Sequence, residues 1–222
     1  MLTYNHALDY FFIILFTLII GITFWAIHLY INKVKSEYIS LFCLMNFIML
    51  VFGGFSFGLL SSGFRDYAIA SLGGAIGVFF CTITFVRLLP EYAIYFWESV
   101  VLSAPLMYGI GKIGCSLAHC CYGINYTGLF AVSVNDISYF PIQKLESIVF
   151  LSLFIGSYIL YKLNKFNCDI AVIVYAAVKF LLDFLRYTHE THIISLNQVG
   201  CLAIIAVMVY FLISPKLKAA VN

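Results

Sequence analysis

DYFFIILFTLIIGITFWAIHLYI, Asp9–Ile31, decides the fold. Beyond its first residue it holds no Asp, Glu, Lys or Arg. It is longer than the roughly 18 apolar residues that mark a helix able to cross a bilayer. No Lys or Arg precedes it, and it is too long for the apolar core of a cleavable signal, so a retained span is expected. The rest of the chain reads the same way. Of 222 residues, 64% are hydrophobic and only 10% charged, with a mean hydropathy of +1.03. A soluble domain carries about 25% charge, so there is too little polar surface here to cover a water-soluble globule. The net charge is +2 and no basic stripe is present, which argues against a nucleic-acid partner.

Outward from the first run, apolar segments follow at about 39–62, 68–89, 92–113, 146–161, 168–187 and 195–214. In lipid each must be helical, because no water satisfies free backbone groups. The expected fold is therefore an all-α integral membrane protein, a seven-span helical bundle. One long gap, 114–145, reads as a re-entrant or interfacial loop. No repeat, low-complexity tract or linker interrupts the chain, so 1–222 is expected to form a single membrane domain. With the N-terminus outside and the C-terminus inside, Lys33, Lys35, Arg87, Lys162, Lys165, Lys216 and Lys218 fall inside. Arg65, Lys112, Lys144, Lys179 and Arg186 fall in the outer half or outside. Charge within a span costs at least ~2.5 kcal/mol on insertion scales, so these cations mark a candidate site facing outward.

In YAAVKFLLDFLR, Tyr175–Arg186, the residues Tyr175, Lys179, Asp183 and Arg186 are spaced four, four and three apart and share one helical face. This face reads as an anion-binding wall or as an internally neutralised helix. Segment four carries Glu98 and ends near Lys112. It leads into GKIGCSLAHCCYG, Gly111–Gly123. FPIQKLES, Phe140–Ser147, opens segment five with Gln143, Lys144 and Glu146, of which Gln143 and Glu146 share a face. Several cations, carboxylates to orient them and a tyrosine suit a phosphate headgroup in a partly dry cavity. Elsewhere, GGFSFG (Gly53–Gly58) and LGGAIG (Leu72–Gly77) put Gly73 and Gly74 where helices pack closely or where a headgroup approaches the backbone.

The chain has seven cysteines. Cys43, Cys81, Cys168 and Cys201 lie singly in apolar surroundings and read as small packing residues. Cys115, Cys120 and Cys121 accompany Lys112 and His119. Four readings stay open for them: a nucleophile or acyl acceptor with His119 as base, a soft-metal site, a disulfide, or packing at a tight turn. Their spacing matches no zinc motif, and no metal is expected. In a continuous helix, residues five or six apart lie about 8–10 Å from each other, so a disulfide would require a break in the helix.

These stretches resemble, in order and spacing, the prolipoprotein diacylglyceryl transferase family of bacterial plasma-membrane enzymes. LGGAIG is similar to the family's His-Gly-Gly segment, GKIGCSLAHCCYG to its GRIGNFINGELYG signature, FPIQKLES to HPSQLYE, and YAAVKFLLDFLR to YGxxRFxxEFxR. The resemblance covers about residues 70–190. It implies a multi-pass protein of the bacterial plasma membrane with its site toward the outer leaflet. The implied reaction moves a diacylglyceryl group from phosphatidylglycerol to the cysteine thiol of a preprolipoprotein or lipobox peptide, and glycerol phosphate leaves. Phospholipid is then substrate, and no cofactor is implied. Phosphate holding would fall on Lys112 and Lys179, and Arg186, another matching position, is expected to hold the phosphate with them. Tyr175, Gly114, Tyr122, Gly123, Gln143, Glu146 and Asp183 match family positions directly or conservatively. Leu72 and Phe140 stand where the family has histidine, Cys115 where it has asparagine, Cys120 where it has glutamate, and Lys112 and Lys179 where it has arginine. Two further readings follow from these departures: a non-catalytic lipid- or partner-binding protein on the same scaffold, and a thiol-redox membrane protein.

Overall fold

A computed structural model describes residues 4–64, 70–134, 136–190 and 192–213. Arg65, Lys216 and Lys218 lie outside the described residues. The helices are α1 (Tyr4–Ile31), α2 (Ser36–Ser61), α3 (Ser71–Leu88), α4 (Ala93–Leu117), α5 (Ile142–Lys162), α6 (Cys168–Asp183) and α7 (Leu196–Ile213). Two three-residue strands, β1 (Val132–Val134) and β2 (Ile137–Tyr139), pair antiparallel between α4 and α5. Among the described residues, six helices are long and apolar enough to cross a membrane: α1 to α5 and α7. α6, at 16 residues, falls short of that length.

Two expectations change. The gap 114–145 shrinks to 118–141, because α4 runs on to Leu117 and α5 begins at Ile142. Gly114 and Cys115 are therefore helical, and so are Gln143 and Glu146. The fold is not purely helical either, since the remaining loop folds into the small hairpin.

Among the described residues, Ile22–Val101 forms one compact unit, and residues up to Gly21 together with Leu102–Ile213 form another. The first has an aromatic centre. Phe42 is fully buried, stacked on Phe96 with ring centroids 4.8 Å apart and edge-on to Phe85 at 5.1 Å. Beside it, Thr82 Oγ1 donates to Asn46 Oδ1 at 3.3 Å, so the buried amide is matched across α2 and α3. The glycines of GGFSFG and LGGAIG bring these two helices into backbone contact. A Cβ on Gly73 would strike the Gly53 carbonyl, and one on Gly77 would strike the Met49 carbonyl. Gly73 and Gly74 are buried in this packing.

The second unit holds the charged residues. Asn167 caps α6, its Oδ1 accepting from Ile170 N at 3.1 Å. α7 opens on a reciprocal capping box: Gln198 N donates to Ser195 Oγ, and Ser195 N donates to Gln198 Oε1, both at 3.1 Å. Outward faces are largely apolar, with Phe11, Phe12, Phe16, Ile148, Ile155 and Leu181 all more than half exposed. Such a surface suits contact with lipid.

Candidate functional site

The ends of α4 and α6 and the start of α5 bring their charges to one carboxylate. Glu146 is fully buried. Its Oε2 lies 3.0 Å from Lys112 Nζ and 2.9 Å from Arg186 Nη2. Its Oε1 lies 2.7 Å from Lys179 Nζ, 3.0 Å from Arg186 Nη2 and 3.1 Å from the Tyr108 hydroxyl. Asp183, also fully buried, forms the next layer. Lys179 Nζ donates to its Oδ1 at 3.1 Å. Arg186 Nε lies 3.1 Å from the same oxygen without the alignment of a hydrogen bond. Ser195 Oγ donates to Oδ2 in a short contact. The ammonium of Lys112 stands 5.1 Å from the Tyr108 ring centre and that of Lys179 5.8 Å from it, within cation–π range.

Among Lys112, Lys179, Arg186, Glu146 and Asp183, three cations against two carboxylates leave a net charge of +1. Each ammonium has three donors and the guanidinium five, so donors remain for an incoming anion after the carboxylates are served. A phosphate diester carries one negative charge, which balances the remainder. The arrangement can hold and orient such a group where water is scarce and charge interactions are strengthened.

Gln143 ties α5 to the signature stretch, its Nε2 donating to Cys120 O at 2.5 Å. Tyr122 and Gly123 tie that stretch to the end of α6. Ile124 N donates to Leu185 O at 3.0 Å and Tyr187 N to Tyr122 O at 3.2 Å. A Cβ on Gly123 would lie 2.5 Å from Phe140 O and 2.8 Å from Leu185 O, so only glycine fits where the three segments meet. Gly114 packs against Ile13 and Tyr10 of α1.

Other expected site residues have partners of their own. Tyr175 sits on the predicted stripe of α6, but its hydroxyl pairs with Ser157 Oγ at 2.6 Å. It lines a cavity of about 720 Å³ between α5 and α6 with Gly156, Ala171 and Val174. Glu98 pairs with His28, 3.5 Å away, in the Ile22–Val101 unit. Gly73 and Gly74 belong to that unit as well. Lys144 and His119 are exposed.

Sequence reading missed Tyr108, His189 and Ser195. Tyr108 lies one turn before Lys112, a spacing that places both on one face. His189 lies in a 3-10 turn, Tyr187–Glu190. Its Nε2 is buried, 3.7 Å from Asp183 Oδ2, with no hydrogen-bond partner. Nothing in the local pattern marks it.

The break that a cysteine cluster requires is present after Leu117. His119 N donates to Ser116 O at 3.4 Å and Cys120 N to Cys115 O at 3.1 Å. These are the two bonds of a Schellman motif, with His119 at the left-handed position, φ 49°. Cys121 is also left-handed, φ 59°. The chain folds back, and the sulfurs of Cys115, Cys120 and Cys121 come within 4.8 Å of one another. All three are free thiols. Hydrogen bonds from Cys115 and Cys120, with the charges of Lys112 and Arg186, pull the Cys121 thiol well below its ordinary range. The same hydrogen bonds, to Cys115 and Cys121, push Cys120 up. Spacing gave no reason to expect a metal here; the turn supplies one.

Comparison with known proteins identifies the family. A family model described as prolipoprotein diacylglyceryl transferase matches residues 2–214. The curated phosphatidylglycerol–prolipoprotein diacylglyceryl transferase 2 of Clostridium perfringens is 30% identical over 137 residues, which is 56% of this chain and 51% of that protein. The matched region thus spans about half the length of that curated relative.

Proposed function

We propose, from the premise that the chain belongs to the prolipoprotein diacylglyceryl transferase family, that it is a membrane transferase acting on phosphatidylglycerol or a similar anionic phospholipid. The observation that carries this reading is the buried cluster of Lys112, Lys179 and Arg186 around Glu146 and Asp183, with its net charge of +1. The cations bind the phosphodiester, and Glu146 and Asp183 hold them in place. The acceptor is a cysteine thiolate, on a lipobox peptide or preprolipoprotein. It attacks the glyceryl carbon that bears the phosphate oxygen. A carbon–sulfur bond forms, the carbon–oxygen bond breaks, and glycerol phosphate leaves with the electron pair. Lysine and arginine lower the barrier by stabilising the charge on that leaving phosphate.

A base must take the thiol proton. Leu72 carries no base, so the role falls to a histidine elsewhere. His189, its Nε2 buried 3.7 Å from Asp183 Oδ2, is one candidate; His119 is the exposed alternative. The proposed topology is seven spans, N-terminus outside and C-terminus inside. α6 crosses as a short seventh helix, and the ends of α4 and α6 reach the outer leaflet of a bacterial plasma membrane. Lys33, Lys35, Arg87, Lys162 and Lys165 then face the cytoplasm, as the positive-inside rule requires.

A second reading, a non-catalytic lipid-binding protein, is favoured by Leu72, Phe140, Cys115 and Cys120 standing where the family carries polar groups. One experiment separates the two. The full chain is reconstituted with labelled phosphatidylglycerol and a lipobox peptide, and the peptide is weighed by mass spectrometry. A diacylglyceryl thioether is expected. Bound lipid without thioether would establish the second reading. Lys112→Ala and Lys179→Ala should each weaken lipid binding; unchanged binding in both would remove the cluster as the phosphate site.

A further inference from the structure

We infer that Cys115, Cys120 and Cys121 form a three-thiolate binding site for a soft d10 cation, Cu(I) or Zn(II), at the end of α4. Metal–sulfur bonds of about 2.3 Å to three ligands in a plane set the sulfurs about 4 Å apart. The three sulfurs already lie within 4.8 Å of one another, so closure needs only a small rotation of each side chain. The backbone is built for this. In a continuous helix the first and second of these cysteines would be about 8 Å apart. The Schellman turn removes that separation by holding His119 and Cys121 at positive φ.

The donor set selects the ion. Three sulfurs and no carboxylate suit a soft cation and reject magnesium or calcium. Three thiolates with Zn(II) carry −1, and with Cu(I) −2. Lys112 lies three residues before Cys115 at the same end of α4, and its positive charge offsets part of the excess. Binding releases the protons the thiols carry, and the oxidation state of metal and sulfur stays unchanged. Gln143 holds the Cys120 carbonyl from α5, which fixes the turn that presents the sulfurs.

The test uses the full chain in detergent, reduced with a phosphine and kept anaerobic. It is titrated with Zn(II) alone and with Cu(I) alone against a chromophoric chelator, and thiol alkylation is then mapped by mass spectrometry. One equivalent of one of these ions should be retained, with Cys115, Cys120 and Cys121 protected from alkylation by the metal and the reactivity of the buried Cys43 and Cys201 unchanged by it. Cys115→Ser, Cys120→Ser and Cys121→Ser should each weaken binding at least about tenfold; Cys201→Ser should leave it unchanged. Thermal unfolding of each variant shows whether the chain remains folded, and the protection pattern of the unmodified protein tests the site without any variant. Failure of both ions to bind, or binding that survives loss of all three thiols, overturns the site. No lipid or peptide enters this measurement, so its failure leaves the transferase reading standing.

Discussion

Glu146→Gln removes one charge and keeps the shape of the side chain, so it tests whether the cluster is one electrostatic unit. Lys112, Lys179 and Arg186 would then face Asp183 alone, and the net charge in the buried space would rise from +1 to +2. The three ion pairs to Glu146, at 3.0, 2.7 and 2.9 Å, each have a Coulomb energy of about 5–6 kcal/mol at an effective dielectric constant of about 20. Desolvation offsets most of this. Breaking a buried pair by removing one partner costs about 3–5 kcal/mol net. The glutamine oxygen still accepts a hydrogen bond, which places the expectation near the lower end, about 3 kcal/mol. For a chain of this size that lowers Tm by about 6–12 °C. Intrinsic fluorescence during thermal unfolding in detergent measures the shift. Adding Lys112→Met returns the net charge to +1 and should recover part of the loss. A drop below about 2 °C, as expected of a solvent-exposed pair worth ~0–1 kcal/mol, would refute the single-unit reasoning. A double variant worse than the sum of its parts would do the same.

Three further outcomes are expected. Tyr175→Phe loses the 2.6 Å bond to Ser157, should cost about 1 kcal/mol of stability, and should leave lipid binding intact; a binding defect comparable to that of Lys179→Ala would return Tyr175 to the headgroup site. Gly123→Ala puts a Cβ against two backbone carbonyls, which should cost about 1–3 kcal/mol and speed proteolysis within 118–141, while a resistant loop would contradict the packing. Gly111→Ala meets nothing within 4 Å and should be neutral or stabilising by up to about 1 kcal/mol, as helix propensity dictates; a clear drop in Tm would mean that the face of α4 at Gly111 is occupied.

The charged site was legible because charge is rare in an apolar chain. Lys112, Glu146, Lys179, Asp183 and Arg186 each interrupt an apolar run, and four of them lie at helical spacing or in the first turns of a helix, so their convergence followed from topology. Glu98 and Tyr175 stood out on the same grounds, yet polar groups nearby claim them: His28 pairs with Glu98 and Ser157 with Tyr175. Sequence spacing does not rank such competing partners. The glycines of LGGAIG were legible as packing residues, and the α2 backbone occupies the space a headgroup would need. Tyr108 was hidden because one more aromatic in an apolar helix carries no signal. His189 and Ser195 were hidden because their approach to Asp183 depends on the turn between α6 and α7.

The cysteines show where local rules give out. A Schellman motif is normally announced by glycine at its left-handed position, and here that position is His119, so the end of α4 carried no marker and the spacing of five and six residues read as too wide. Once the turn exists, the thiols that stand where the resemblance places asparagine and glutamate lie together. Replacing a neutral amide and a carboxylate by thiols removes an anion from the neighbourhood of the cation cluster. Bound thiolates would restore it, and protonated thiols would leave the cluster more positive. Under the proposed function, the ionisation of the three sulfurs would adjust the charge that a lipid phosphate meets, and the signature stretch and the cation cluster would act as one electrostatic system. Phosphate affinity in Cys121→Ser, compared with the unmodified protein under reducing conditions, reads that coupling directly. Loss of a thiolate should tighten phosphate binding, and unchanged affinity would separate the two.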